Sequence, residues 1–221
     1  MELLVLIAVG SSAAGLFLIL RSRARKRAAL QLLLDERGWN ARRDGEITTV
    51  SPATDDWALR MQRSFATQQP VPGTHVVTST WTAPTPRMGS GALLVGPSPP
   101  GPARAIAVAL IDSLDPKLAG WIGMGRVGDG QPLQHVLPAD PRLLVLGTAD
   151  AGAPGTLVAV ADAVEEWCAR YDSEREQPAL SLSGGGLEVR VRVDVMSSAT
   201  RLAHFVALCE KCRAAVAGSC R

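Results

Sequence analysis

Residues 187–195 read Leu-Glu-Val-Arg-Val-Arg-Val-Asp-Val, and this alternation decides the class of fold. Side chains of a β-strand point to opposite faces in turn, so one face of the segment is apolar and the other is charged. A strand of this kind buries one face and leaves the other in water, which is typical of antiparallel sheets. The glycines Gly184–Gly186 precede it and predict a hairpin with the segment Ala179–Leu182.

Other segments of β-branched or wholly apolar composition predict further strands. They are Trp39–Val50, His75–Thr82, Gly91–Val95, Ala103–Ile111 and Arg142–Gly147. Apolar residues at helical spacing predict helices over Thr54–Phe65, over Pro154–Tyr171 and, capped by Ser197 or Ser198, up to Ala217. Strands arrive in runs with helices at the ends, so we expect an α+β fold. It would comprise an N-terminal transmembrane helix and one mostly antiparallel sheet packed with about three helices.

The N-terminus carries an uncharged apolar run, Leu3 to Leu20, followed at once by the basic cluster Arg21–Arg27. As a helix the run is about 27 Å long, which matches the hydrocarbon core of a bilayer. A cleaved signal peptide would carry its positive charge before the apolar run and not after it. Basic residues on the C-terminal flank hold that flank in the cytoplasm. The sequence therefore predicts a single-pass protein of the cell membrane, with its N-terminus outside and its C-terminal domain cytoplasmic.

The predicted organisation has three parts, an anchor and basic stop (1–27), a juxtamembrane helix (28–38) and an α+β domain (39–218). The chain has 23 basic and 21 acidic residues. Without Glu2 and the five basic residues of Arg21–Arg27, 18 basic and 20 acidic residues are left. Nucleic-acid-binding domains usually carry a concentrated basic surface, so this balance argues against a nucleic-acid partner.

A glycine motif, Gly123–Gly128 (GMGRVG), matches the dinucleotide-binding pattern G-x-G-x-x-G. The pattern works where a strand precedes it and a helix begins inside it. Here Asp129–Pro132 follows, which does not begin an ordinary helix. The acidic residue that the pattern requires further on would be Asp140 or Asp150, and neither ends a second strand. A glycine-rich loop is the favoured interpretation.

Two cysteines, Cys209 and Cys212, form a C-x-x-C inside the last predicted helix. Redox motifs of this form lie at a helix N-terminus, whereas these thiols fall on the apolar stripe and are typical of small core residues. A zinc site would need two further ligands. His204 faces another side of the helix, which leaves Cys168 and Cys220 as candidates.

The remaining titratable residues form no catalytic pattern. His75, His135 and His204 are scattered, and Asp112 and Asp115 could flank a site, although Asp115-Pro116 favours a turn. No residue is therefore assigned a catalytic, cofactor-binding or metal-binding role, and no cofactor is expected. Catalytic residues can lie far apart in sequence, so an enzyme stays open as the alternative.

The first third of the chain resembles a group of actinobacterial single-pass membrane-anchored proteins that have a small cytoplasmic α/β domain. The resemblance rests on the apolar run, the cluster Arg21–Arg27, Arg37-Gly38-Trp39 after a short Leu/Ala helix, and His75-Val76-Val77-Thr78. It implies an anchored α/β domain and brings no activity with it.

These observations lead us to expect a membrane-tethered cytoplasmic domain that works by binding. Its partners would be other proteins or copies of itself, with the lipid bilayer contacted through Leu3 to Leu20. The alternative, a membrane-associated enzyme, predicts a pocket with converging polar groups. A purely structural subunit would instead expose a large apolar patch.

Overall fold

The computed structural model describes the backbone of residues 2–65, 75–84, 93–98, 134–135, 143–147, 154–171 and 176–218. Side chains are described for these residues except 2–17, 64–65, 75–76, 97, 134–135 and 154–156. Several predicted features lie outside the described residues. They are the strand Ala103–Ile111, the glycine motif Gly123–Gly128, the acidic residues Asp112, Asp115, Asp140 and Asp150, and Cys220.

The described residues form three helices, nine strands and one 3₁₀ turn. In chain order they are α1 (Glu2–Arg37), β1 (Trp39–Asp44), β2 (Ile47–Pro52), β3 (Ala58–Phe65), β4 (His75–Ala83), β5 (Leu93–Pro97), β6 (Gln134–His135), β7 (Leu143–Gly147), α2 (Pro154–Arg170), β8 (Ala179–Ser183), β9 (Gly186–Val191), the 3₁₀ turn Val195–Ser197 and α3 (Ala199–Gly218). The strands make one sheet in the order β1-β2-β3-β4-β9-β8-β5-β7-β6. Every neighbouring pair is antiparallel.

One row of buried apolar residues crosses the sheet from β2 to β7. The backbone register places its members opposite one another in successive strands, in the order Val50, Leu59, Trp81, Val189, Leu180, Val95 and Val145. All seven are buried. Because opposite residues in a sheet share a face, this row forms the floor of the hydrophobic core.

The helices α2 and α3 cover that face of the sheet. Leu157, Val160 and Val164 of α2 and Leu202 and Phe205 of α3 are buried in the same apolar cluster as the strand residues. Helix α3 begins directly after Ser198, whose hydroxyl accepts a hydrogen bond from the Arg201 N–H at 3.1 Å. This confirms Ser198 as the predicted cap.

The C-terminal part of α1 is attached to the domain by apolar contacts. Leu34 is buried in the core, and Trp39, the first residue of β1, packs edge-on against Trp57 with 5.3 Å between the ring centroids. The guanidinium of Arg37 lies 6.0 Å from the centre of the Trp39 ring. By contrast, every side chain of residues 18–29 is exposed.

The prediction of a transmembrane anchor is wrong. Among the described residues, none of the helices combines the length and the apolar character that crossing a membrane requires. Helix α1 continues without a break through the basic cluster Arg21–Arg27 to Arg37. The predicted fold class is therefore wrong in including an N-terminal transmembrane helix. The predicted single-pass location in the cell membrane is wrong for the same reason. The expected bilayer contact through Leu3 to Leu20 depended on that helix.

Two predictions for the first third of the domain are also corrected. The segment 39–50 is a hairpin and not one strand, because Gly45 takes a left-handed φ of +59° and turns the chain between β1 and β2. The predicted helix Thr54–Phe65 contains strand β3 instead. Its side chains alternate, with Leu59 and Met61 buried and Arg60 exposed, and β2 and β4 pair with it on either side.

Candidate functional site

A groove runs along the outer surface where α2 and α3 pack together. We call it the helix groove. It is shallow, with a cavity volume of about 40 Å³. Alanines lie between the two helices at its base. The polar side chains along its edges are Glu166, Arg170, His204 and Lys211. Its lining residues are Ala163, Glu166, Trp167, Arg170, His204, Ala207, Leu208 and Lys211.

The helical repeat explains why these residues share one surface. Glu166 and Arg170 are four residues apart on α2, and His204 and Lys211 are seven residues apart on α3, so each pair projects from one side of its helix. The opposite sides of both helices supply buried residues to the core. Packing the two helices on the sheet therefore turns their polar sides outward and toward each other.

The carboxylate of Glu166 holds both cations of the groove. One oxygen accepts a hydrogen bond from Arg170 Nη2 at 2.9 Å, and the other accepts one from the ammonium of Lys211 across the helix pair. The three side chains are close to half exposed, at 45% for Glu166, 47% for Arg170 and 56% for Lys211. The groove thus carries two fixed positive charges and one negative charge.

These contacts keep Glu166 ionised. The hydrogen bond from Lys211 and the charge of its ammonium lower the pKa of the Glu166 carboxyl, and Arg170 adds a smaller effect in the same direction. An ionised carboxylate is required for it to accept from both cations at once. Glu166 therefore bridges the two helices as an anion.

His204 is hydrogen-bonded at both ring nitrogens. Its Nε2 lies 3.0 Å from Arg170 Nη1, and its Nδ1 lies 2.8 Å from the hydroxyl of Tyr171. A guanidinium donates and never accepts, so Nε2 must be the acceptor. The geometry therefore assigns a neutral imidazole that carries its proton on Nδ1 and donates it to the Tyr171 oxygen. In this state neither nitrogen has a lone pair left for a substrate or a metal.

A second network closes the end of the groove at the start of α3. The Trp167 indole N–H donates to the Glu176 carbonyl oxygen at 2.5 Å, and the Glu176 carboxylate pairs with Arg201 at 3.3 Å. The Arg201 guanidinium lies over the Tyr171 ring, 5.0 Å from its centre. These contacts fix the position of Tyr171 and, through it, the orientation of His204.

The predicted core position of the two cysteines is confirmed. Cys209 and Cys212 are both fully buried in the core cluster. Burial raises the pKa of the Cys212 thiol to about 12. Burial, helped by Cys212 and Glu210, raises the pKa of Cys209 well above its ordinary value. A thiol that holds its proton this strongly is a poor nucleophile and a poor metal ligand.

The other two histidines singled out in the sequence are described by their backbone alone. The backbone places His75 at the start of β4 and His135 in the short strand β6, and their side chains are not among those described. His204 faces away from Cys209, as predicted, and contacts α2 instead. Within the described part of the chain, no three His, Cys, Asp or Glu residues lie close enough to hold a metal ion.

Sequence reasoning missed Glu166, Arg170, Tyr171 and Lys211. The spacing of Glu166 and Arg170 is a recognisable sign of an ion pair on one helix. The contact of Lys211 with Glu166 spans 45 residues, and that of His204 with Tyr171 spans 33. Both depend on how α2 packs on α3, which local patterns do not specify.

Comparison with known proteins gives no relative from which a function could be inferred. No family model, no curated protein and no solved structure matches the chain.

Proposed function

We propose that this chain is a binding module, and that the helix groove is where it receives an acidic segment of a protein partner. The observation that carries the proposal is the pair of cations, Arg170 and Lys211, held side by side above an apolar floor by the shared carboxylate of Glu166.

The chemistry of the edges selects a negatively charged group. Each cation has N–H donors beyond those used in the contacts with Glu166 and His204, and the side chains are close to half exposed. A partner carboxylate could therefore bind both cations without first breaking the bridge. Because Glu166 already positions them, less side-chain entropy is lost on binding than with free cations.

The base of the groove determines which residue of the partner can lie next to the acidic residue. Ala163 and Ala207 leave room between the helices, and the buried side chains of Trp167 and Leu208 close the base of the groove. A partner segment with a small apolar residue beside its acidic residue would fill this space. Exposed ion pairs contribute only about 0–1 kcal/mol each, so we expect modest affinity that falls as salt is raised.

A titration of the full-length chain with a designed peptide tests the proposal. The probe is a capped amphipathic peptide of Glu, Leu and Ala, and its control is the same peptide with Lys in place of every Glu. Backbone NMR shifts are followed throughout the titration. We expect the acidic peptide alone to shift the amides of Ala163, Arg170, Ala207 and Lys211.

A charge reversal gives the matched comparison. Lys211→Glu should weaken binding of the acidic peptide by about fivefold, the effect of losing one favourable surface charge contact. Arg42→Glu makes the same charge reversal at an exposed position of the edge strand β1, which does not line the groove, and should leave the affinity unchanged. Equal affinities in both variants, or shifts confined to the basic residues of α1, would overturn the proposal.

A further inference from the structure

We infer that His204 makes the helix groove sensitive to pH, because taking up one proton releases Arg170 and increases the positive charge offered to the acidic partner. The inference rests on the proposed function, since it describes how binding in that groove is regulated. It starts from the two hydrogen bonds of the imidazole, to Arg170 at 3.0 Å and to Tyr171 at 2.8 Å.

Protonation changes one of these contacts and spares the other. The Nδ1–H still donates to the Tyr171 oxygen. At Nε2 the lone pair becomes an N–H, which then faces the guanidinium of Arg170 with a donor against a donor and a positive charge against a positive charge. The Arg170–His204 contact therefore breaks, while the ring stays anchored through Tyr171.

The charged groups around His204 determine where the released charge goes. From α2 these groups are Glu166 and Arg170, together with Tyr171 just beyond the helix. Glu176 reaches the cluster from the segment before β8, and Arg201 and Lys211 come from α3. Glu176 is already paired with Arg201, at 3.3 Å. Glu166 is the one carboxylate among the lining residues of the groove, and its charge interacts with His204.

Glu166 cannot neutralise the added charge by titrating. Its pKa is lowered, first by the hydrogen bond from Lys211, so it is ionised throughout the range in which histidines ordinarily change charge. It can either keep Arg170 or turn to the protonated imidazole. In both cases the groove changes from two cations and one anion to three cations and one anion.

Binding should therefore strengthen as the pH falls. Histidine ordinarily changes charge between about pH 5 and 8, and the glutamates of the probe stay largely ionised down to the lower limit. One additional charge at a half-exposed site is worth at most about 1 kcal/mol, which corresponds to about a fivefold change in the dissociation constant.

The experiment is the acidic-peptide titration repeated at about pH 8 and about pH 5.5. We expect the wild-type chain to bind several-fold more tightly at the lower pH. His204→Gln keeps a neutral polar side chain and should bind with the same affinity at both values. His75→Gln makes the same change at the first residue of β4 and should retain the wild-type pH dependence.

The experiment distinguishes an error in the proposed function from an error in the role of His204. Absence of binding in the groove at either pH overturns the proposed function itself. Groove binding whose pH dependence is the same in His204→Gln as in the wild type overturns only the role of His204. Should that variant fold poorly, the wild-type chain without peptide provides a second measurement. The side-chain NMR signals of Arg170 should move with the same midpoint as the imidazole signals of His204, and independent midpoints would also overturn the inference.

Discussion

The hydroxyl of Ser79 in β4 donates a hydrogen bond over 2.6 Å to the carbonyl oxygen of Val193, which lies 114 residues later in the chain. The Ser79 hydroxyl oxygen in turn accepts a hydrogen bond from the Val195 N–H at 3.4 Å. Ser79 is fully buried, and it is the one buried polar or charged residue among those described. It therefore satisfies the backbone of the segment that leaves the sheet after β9.

We predict that Ser79→Ala lowers the free energy of unfolding by about 1–3 kcal/mol, because it leaves a part-buried carbonyl and a buried N–H without this partner. Urea unfolding measures this change as a lower midpoint at an unchanged slope. Thr80→Ala is the control, since Thr80 lies next in β4 on the opposite face of the sheet and is only partly buried. Equal effects of the two substitutions would contradict the role given to Ser79.

The same contact shows where pattern reasoning stops. The alternation of residues 187–195 predicts a strand that reaches Val195, and the structure ends β9 at Val191. Val195 is nevertheless buried, as the alternation indicates, but it lies in a 3₁₀ turn. Alternation reports which side chains are buried. It does not report that a distant serine takes over the backbone hydrogen bonds.

The candidate site illustrates the same limit in the helices. The apolar spacing predicts both α2 and α3, and the structure places them over Pro154–Arg170 and Ala199–Gly218. Each helix thus has a recognisable polar side in the sequence. Which polar residues face each other depends on the packing of the helices on the sheet, so the Glu166–Lys211 bridge became visible only with the structure.

Strand β3 offers a test of the corrected secondary structure. A helix over these residues would place Trp57 and Met61 on one face, whereas the strand buries every second residue. We predict that Leu59→Ala costs about 2–5 kcal/mol of unfolding free energy, because Leu59 is fully buried in the central row. Arg60→Ala should change it by less than about 0.5 kcal/mol, since Arg60 is exposed. Urea unfolding of both variants decides the matter, and comparable losses at the two positions would argue against the strand.

The three consecutive glycines Gly184–Gly186, of which the last begins β9, should differ sharply in tolerance to substitution. Gly186 has a φ of +115°, and a Cβ there would lie 2.3 Å from the backbone oxygen of Ala83. We predict that Gly186→Ala lowers the free energy of unfolding by at least about 2 kcal/mol, through backbone strain and displacement of β4.

The neighbouring glycines are matched controls for that prediction. A Cβ at Gly184 meets nothing within 4 Å, and one at Gly185 meets only the Ser183 hydroxyl at 3.6 Å. Alanine at either position should leave the thermal midpoint close to that of the wild type. A similar loss of stability at all three positions would show that the close approach of Gly186 to β4 is not the cause.

The buried thiols make the fold sensitive to alkaline pH. The pKa of Cys212 is about 12 in the folded chain, whereas an ordinary thiol has a pKa near 9.0. Above the lower value the unfolded chain loses this proton and the folded chain retains it, so the unfolded state is favoured. The stability associated with the protonated thiol is therefore complete below about pH 9 and is lost as the pH rises toward 12.

Cys212→Ala removes this proton from both states, and its effect is seen in the pH dependence rather than in the absolute stability. Between about pH 8 and about pH 10, the unfolding free energy of the wild type should fall by about 1 kcal/mol more than that of the variant. Urea unfolding at the two pH values measures the difference. Val216→Ala also shortens a buried side chain of α3 but removes no titratable group, so it should retain the full wild-type dependence. The prediction fails if Cys212→Ala and Val216→Ala lose stability equally between the two pH values.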